Sequence, residues 1–156
     1  YPHRLQQLKL YQDTIEFCKR MAALEFKIVV VTNQSGIARN IFSTKDLHNF
    51  NKKIEDIYRS HNIEISDWFI CPHHPDGVLS TYSYNCDCRK PKPKMILDAA
   101  GKYQLDLCDS IFVGDKVSDM QSAFSAGVGR RIMVQRQLGD PTPTLNFQFE
   151  TTQSLL

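Results

Sequence analysis

Apolar residues recur at helical spacing twice in the first sixty positions. Ile15, Cys18, Met21, Ala22 and Phe26 predict an amphipathic helix over residues 12–24. Leu47, Phe50, Ile54, Ile57 and Tyr58 predict a second helix, which Ser43 or Thr44 can cap. Between them, residues 27–32 read KIVVVT, a continuous β-branched run of the kind found in strands buried on both faces. Residues 68–71 suggest a short strand, followed by a loop rich in Pro, Asp, Tyr and Cys that runs to Pro91. Pro93 suits the first turn of a helix reaching Tyr103. Residues 110–113 form another candidate buried strand, and Gly114 and Asp115 then turn the chain into a helix that Gly127 can end. Residues 131–134 read as a last strand, and residues 137–156 carry no determinate pattern.

Strands alternating with helices predict an α/β domain, Rossmann-like, with a doubly wound and mainly parallel sheet. The 156 residues suffice for one compact domain with a core, and no linker or repeat divides them. Sheets of this kind bind ligands beyond the carboxyl ends of their strands. Thr32 and Asp115 both fall at such ends.

Composition narrows the class. Hydrophobic residues at 42% and charged residues at 23% describe an ordinary globular chain. A formal charge of +2 does not call for a nucleic-acid partner. The longest apolar run, residues 28–31, is strand-sized, so no membrane span is expected. Five cysteines, an odd number, argue against a closed disulfide framework. Three of them gather near one histidine, while Cys18 and Cys108 lie in apolar patterns and are expected as buried thiols. That distribution suits a reducing cytoplasm.

The gathered residues follow the pattern Cys71-x-His73, twelve residues, then Cys86-x-Cys88. Thiolates and imidazole are preferred zinc ligands, and four of them close a tetrahedron with no position left for water. The metal is therefore expected to staple the 71–90 loop rather than to catalyse. The plainer alternatives are a Cys86–Cys88 disulfide or scattered thiols. His74 is set aside as a spare histidine, and Pro72, Pro75, Pro91 and Pro93 stiffen the loop.

Three further segments carry candidate phosphate chemistry. In Val31-Thr32-Asn33-Gln34-Ser35-Gly36 a strand ends in a polar turn whose hydroxyl and N–H groups can cradle phosphate oxygens, or which is simply a turn. In Cys88-Arg89-Lys90-Pro91-Lys92-Pro93, Arg89 and Lys90 suit an anionic group, whereas Lys92 and Lys94 read as solvated charges. In Gly114-Asp115-Lys116-Val117-Ser118-Asp119, a carboxylate at a strand end is a natural Mg²⁺ ligand. The alternative there is helix capping by Asp115, with Asp119 favourable in the first turn.

Together and in this order, the three segments resemble the haloacid dehalogenase superfamily of aspartate-nucleophile phosphatases. VVVTNQSGIAR, CPHHP, CDCRKPKP and VGDKVSDMQSA narrow the likeness to the zinc-loop subgroup, the heptose bisphosphate and histidinol-phosphate phosphatases, with the heptose group nearer. The resemblance implies a Mg²⁺-dependent phosphomonoesterase acting on a small phosphorylated sugar, a cytoplasmic monomer serving lipopolysaccharide-core precursors. It implies Thr32, Lys90 and Asp115 as catalytic residues. Asn33, Gln34, Ser35, Arg89 and Lys116 would join Thr32 and Lys90 in binding substrate, and Asp115 with Lys116 would attend the Mg²⁺. The family's first motif, a strand ending in DxDGT that bears the nucleophilic aspartate, does not occur here. Its place is a central strand before Tyr1. The natural protein is expected to contain it, and these 156 residues alone are expected not to turn over substrate. A non-catalytic zinc module is the competing class.

Overall fold

The computed structural model describes residues 5–135 and 146–155. The chain forms two compact units, one running to Cys86 and one beginning at Asp87.

The first unit opens with a 3₁₀ turn at Leu5–Gln7 and helix α1, Gln12–Ala23. Beyond the end of α1, Glu25 adopts a left-handed backbone (φ 63°) and Phe26 N–H returns to the Met21 carbonyl. That pairing closes carbonyls the helix would otherwise leave open. Strand β1, Ile28–Asn33, follows, then helix α2, Thr44–Ser60, and strand β2, Ile65–Cys71. The Ser43 hydroxyl accepts from Asp46 N–H at 3.1 Å, and the Asp46 carboxylate accepts from Ser43 N–H at 2.9 Å. This reciprocal pair starts α2 one residue after Ser43. β1 and β2 lie parallel, with Thr32 opposite Ile70 and Asn33 opposite Cys71. A parallel pair needs a crossover, and α2 supplies it. The segment after β1 buries Ile37 and Phe42 together with Leu47 of α2, with Ile70 and Tyr82 packed against them. Tyr82 belongs to a short 3₁₀ turn, Ser80–Tyr82.

The second unit holds helix α3 (Lys94–Tyr103), strand β3 (Ile111–Gly114), helix α4 (Val117–Ala126), strand β4 (Arg130–Val134) and strand β5 (Glu150–Thr152). β3, β4 and β5 are all parallel, in that order. Gly127, at φ 85°, ends α4, and Val128 N–H closes back on Ala123. Met120, Ala123, Val128 and Ile132 form part of its buried interior.

The α/β class with parallel sheets is thus present. The structure corrects several expectations. β1 and β3 are half-buried rather than buried throughout. Among the described residues β1 pairs as a strand only with β2, and β3 only with β4. Cys108 is exposed and Cys18 half-buried. Cys108 sits in the α3–β3 loop, where the Asp106 carboxylate accepts its N–H at 2.8 Å. An Asx turn, not an apolar face, sets its place. β5 lies in the tail where no pattern was evident. Part of that tail, residues 136–145, lies outside the described residues, as does the start of the chain.

Candidate active site and metal centre

Strand β2 delivers Cys71 at its carboxyl end, fully buried, and His73 follows two residues later. The Cys71 sulfur lies 3.8 Å from His73 Nδ1 and 3.4 Å from the Cys86 sulfur. That sulfur–sulfur distance is far beyond a disulfide bond, and none of the five cysteines is in one. Cys88 completes the group: the ligand atoms of Cys71, His73, Cys86 and Cys88 all lie within 4.8 Å of one another. On the other side of the imidazole, the Tyr84 hydroxyl lies 2.7 Å from His73 Nε2. Burial lowers the His73 pKa, favouring the neutral ring that coordinates metals. Three thiols and a neutral imidazole with an outer hydrogen-bond partner suit Zn²⁺, and the group itself contains no carboxylate, the ligand harder cations prefer.

His74 is not part of this group. Its ring nitrogens lie 3.3 and 3.4 Å from Arg39 Nη2, and its Nδ1 accepts Asp76 N–H.

The turn after β1 sits beside this loop. Gln34 N–H donates to the Cys71 carbonyl at 2.7 Å, and Gln34 Nε2 donates to Thr32 Oγ1 at 3.1 Å. Ser35 is buried and its carbonyl accepts Arg39 N–H. Gly36 is required sterically, because a Cβ there would come within 2.0 Å of the Phe42 ring.

In the second unit, Lys90 and Asp119 form an ion pair of 2.8 Å with both side chains at or below 10% exposure. The other Asp119 oxygen accepts the N–H groups of Asp115 (3.2 Å) and Lys116 (3.1 Å). Asp119, not Asp115, therefore caps α4. Gly114 permits this approach, since a Cβ there would meet the Asp119 side chain at 2.6–2.9 Å. With both oxygens engaged, Asp119 is poorly placed to bind a cation. Asp115 and Lys116 are exposed just beyond β3. Arg89 is half-buried before Lys90, and the Lys90–Pro91 peptide is cis. Lys92 and Lys94 pair at the surface with Asp87 and Asp98, as solvated charges should.

The model of the polynucleotide kinase 3 phosphatase family matches residues 2–137. The chain belongs to this family of haloacid dehalogenase-type phosphatases. It is 34% identical over 135 residues to the D-glycero-beta-D-manno-heptose-1,7-bisphosphate 7-phosphatase of Yersinia pestis, covering 86% of this chain and 72% of that one. It is 37% identical over 148 residues to the corresponding alpha-anomer 7-phosphatase of Photorhabdus laumondii, covering 94% and 80%. Among solved structures it resembles the D,D-heptose 1.7-bisphosphate phosphatase from B. bronchiseptica complexed with magnesium and phosphate. The TM-score is 0.77, with 29% identity and coverage of 96% and 81%.

The phosphatase is therefore a phosphoric monoester hydrolase, and the non-catalytic zinc module falls away. Sequence reasoning left Asp119 undecided between a capping and a metal role, and missed its pairing with Lys90. It also missed Arg39 and Tyr84 as supports of the cysteine loop. No helix among the described residues is long and apolar enough to cross a membrane.

Proposed function

We propose that this phosphatase removes the 7-phosphate of D-glycero-D-manno-heptose 1,7-bisphosphate, as a cytoplasmic monomer in the formation of lipopolysaccharide-core or related nucleotide-heptose precursors. One observation carries the reading: the relatives at 34% and 37% identity are both named 7-phosphatases of that sugar. Their names differ in the anomer, so the proposal is made for the sugar rather than for one anomer.

Phosphoryl transfer depends on positioning and on charge stabilisation more than on covalent work by the protein. The Thr32 hydroxyl would donate to a phosphoryl oxygen, with Asn33 and Ser35 shaping the turn around it. Lys90, held by Asp119, would neutralise charge as it develops on the phosphoryl group. Arg89 and Lys116 would recognise the anionic substrate. The attacking carboxylate would be an aspartate on a segment ahead of Tyr1, forming an aspartyl phosphate that water then hydrolyses.

Asp115 fits Mg²⁺, because its carboxylate is exposed at a strand end and Mg²⁺ takes few protein oxygens. When bound, Mg²⁺ would add positive charge beside the phosphate. Cys71, His73, Cys86 and Cys88 would hold structural Zn²⁺.

Phosphate release from heptose 1,7-bisphosphate and from histidinol phosphate, measured side by side on the full-length protein with Mg²⁺, tests the reading. The heptose substrate should give the higher kcat/KM by about a hundred-fold or more, since unpaired buried polar groups penalise a wrong substrate strongly. Preference for histidinol phosphate would overturn it.

A further inference from the structure

The cysteine loop does more than close on itself; it also fastens the turn that follows Thr32. At the near end, the Cys71 carbonyl accepts Gln34 N–H at 2.7 Å. At the far end, the Ala38 carbonyl accepts both Val78 N–H (2.7 Å) and Leu79 N–H (3.0 Å). Arg39 Nη2 lies 3.4 Å from Nδ1 and 3.3 Å from Nε2 of His74. Gly77 lies so near Ala38 that a Cβ would come within 2.9 Å of the Ala38 methyl. Residues 34–39 are therefore held at both ends by residues 71–79, and Cys71 and His73 in that stretch belong to the metal-ligating group.

Gln34 stands at the junction. Its backbone is bound to Cys71, and its side-chain amide donates to Thr32 Oγ1 at 3.1 Å. A hydroxyl has one proton and two lone pairs. With an amide donating into one lone pair, the proton of Thr32 is left for an acceptor other than Gln34. That is the polarity a phosphate-binding hydroxyl needs.

We propose that Gln34 is a positioning residue that carries the order of the Cys71 loop to the Thr32 hydroxyl and sets it as a donor. The inference rests on the reading of Thr32 as a phosphate ligand.

The test uses the zinc-loaded, full-length protein with heptose 1,7-bisphosphate. Gln34→Glu replaces the donating amide with an acceptor of the same shape, so Thr32 would turn its proton to Glu and away from phosphate. The expected result is a fall in kcat of about ten-fold or more with KM nearly unchanged, the pattern of a contact felt mainly in the transition state. Gln34→Ala, which removes the donor without adding an acceptor, should fall between wild type and Gln34→Glu. Thr32→Val should lose activity, and adding Gln34→Glu to it should cost no more than about two-fold further, because the two residues act through one bond. Multiplying losses in the double variant, or a raised KM at unchanged kcat, would show a direct substrate contact and overturn the proposal. An inactive Thr32→Val beside a fully active Gln34→Glu would sink the Gln34 step alone. A fully active Thr32→Val would remove the Thr32 role itself. Hydrogen exchange supplies a readout apart from activity. The Gln34 amide should exchange about ten-fold faster once zinc is chelated, as local order is lost. Exchange indifferent to zinc would break the link from Cys71.

Discussion

The cysteine loop and the Lys90–Asp119 pair reach local order by different routes. The loop has few buried apolar side chains of its own. Val78 is three-quarters exposed, and Tyr84 is also exposed, so the loop depends on soft ligands and backbone clasps. The Lys90–Asp119 pair needs no added ion: a buried carboxylate and a largely covered ammonium meet at 2.8 Å, and backbone N–H groups satisfy the remaining carboxylate oxygen. With zinc held as proposed, the first arrangement would be loosened by chelation, whereas the second involves no metal ligand and should be indifferent to it.

The largest effect is expected at the second. Lys90→Met leaves the Asp119 carboxylate buried without its partner, which should cost about 3–5 kcal/mol of unfolding free energy in urea titration. The same variant should lower kcat by about a hundred-fold or more if Lys90 stabilises developing charge. A variant as stable as wild type would show that the pair is not the anchor described here.

Next in size is metal removal. If Cys71, His73, Cys86 and Cys88 hold zinc as proposed, chelation should lower Tm by about 10 °C or more, because a structural metal contributes folding free energy directly. Hydrogen-exchange protection should fall in residues 71–86 and in the 34–39 turn, and hold in α4. Uniform loss across the chain would erase the distinction between the two regions.

Much of this was legible in the sequence, for physical reasons. Cys and His at close spacing advertise a metal because few other roles need those side chains together. A cap at Ser43 or Thr44 and the end of α4 at Gly127 were legible because each follows from local backbone chemistry, and the structure selects Ser43. The Lys90–Asp119 pair was not, since an ion pair between distant positions leaves no periodic trace. Nor was β5, whose three residues, Glu150–Thr152, are too few to show alternation. Cys108 misled because Leu105 and Leu107 beside it suggested an apolar face, while Asp106 was already turning the chain outward.

The smallest effect lies with the two cysteines outside the metal group. Burial pushes the Cys18 thiol up to about 11, so it stays protonated and inert at neutral pH. Iodoacetamide should label Cys108 first in the zinc-loaded protein, with Cys18 modified only on unfolding. Because the folded state raises the Cys18 pKa, its contribution is present below the unfolded value near 8.5 and is lost as pH climbs towards about 11. Tyr58, pushed up to about 12 by burial and then by Cys18, adds in the same direction. Equal labelling of the two thiols in the native state would contradict this placement.

The most direct test of the central claim is ³¹P NMR of heptose 1,7-bisphosphate incubated with the full-length protein, zinc and Mg²⁺. The 7-phosphate resonance should give way to inorganic phosphate while the 1-phosphate resonance persists. Loss of the 1-phosphate, or no turnover of this sugar at all, would contradict the account.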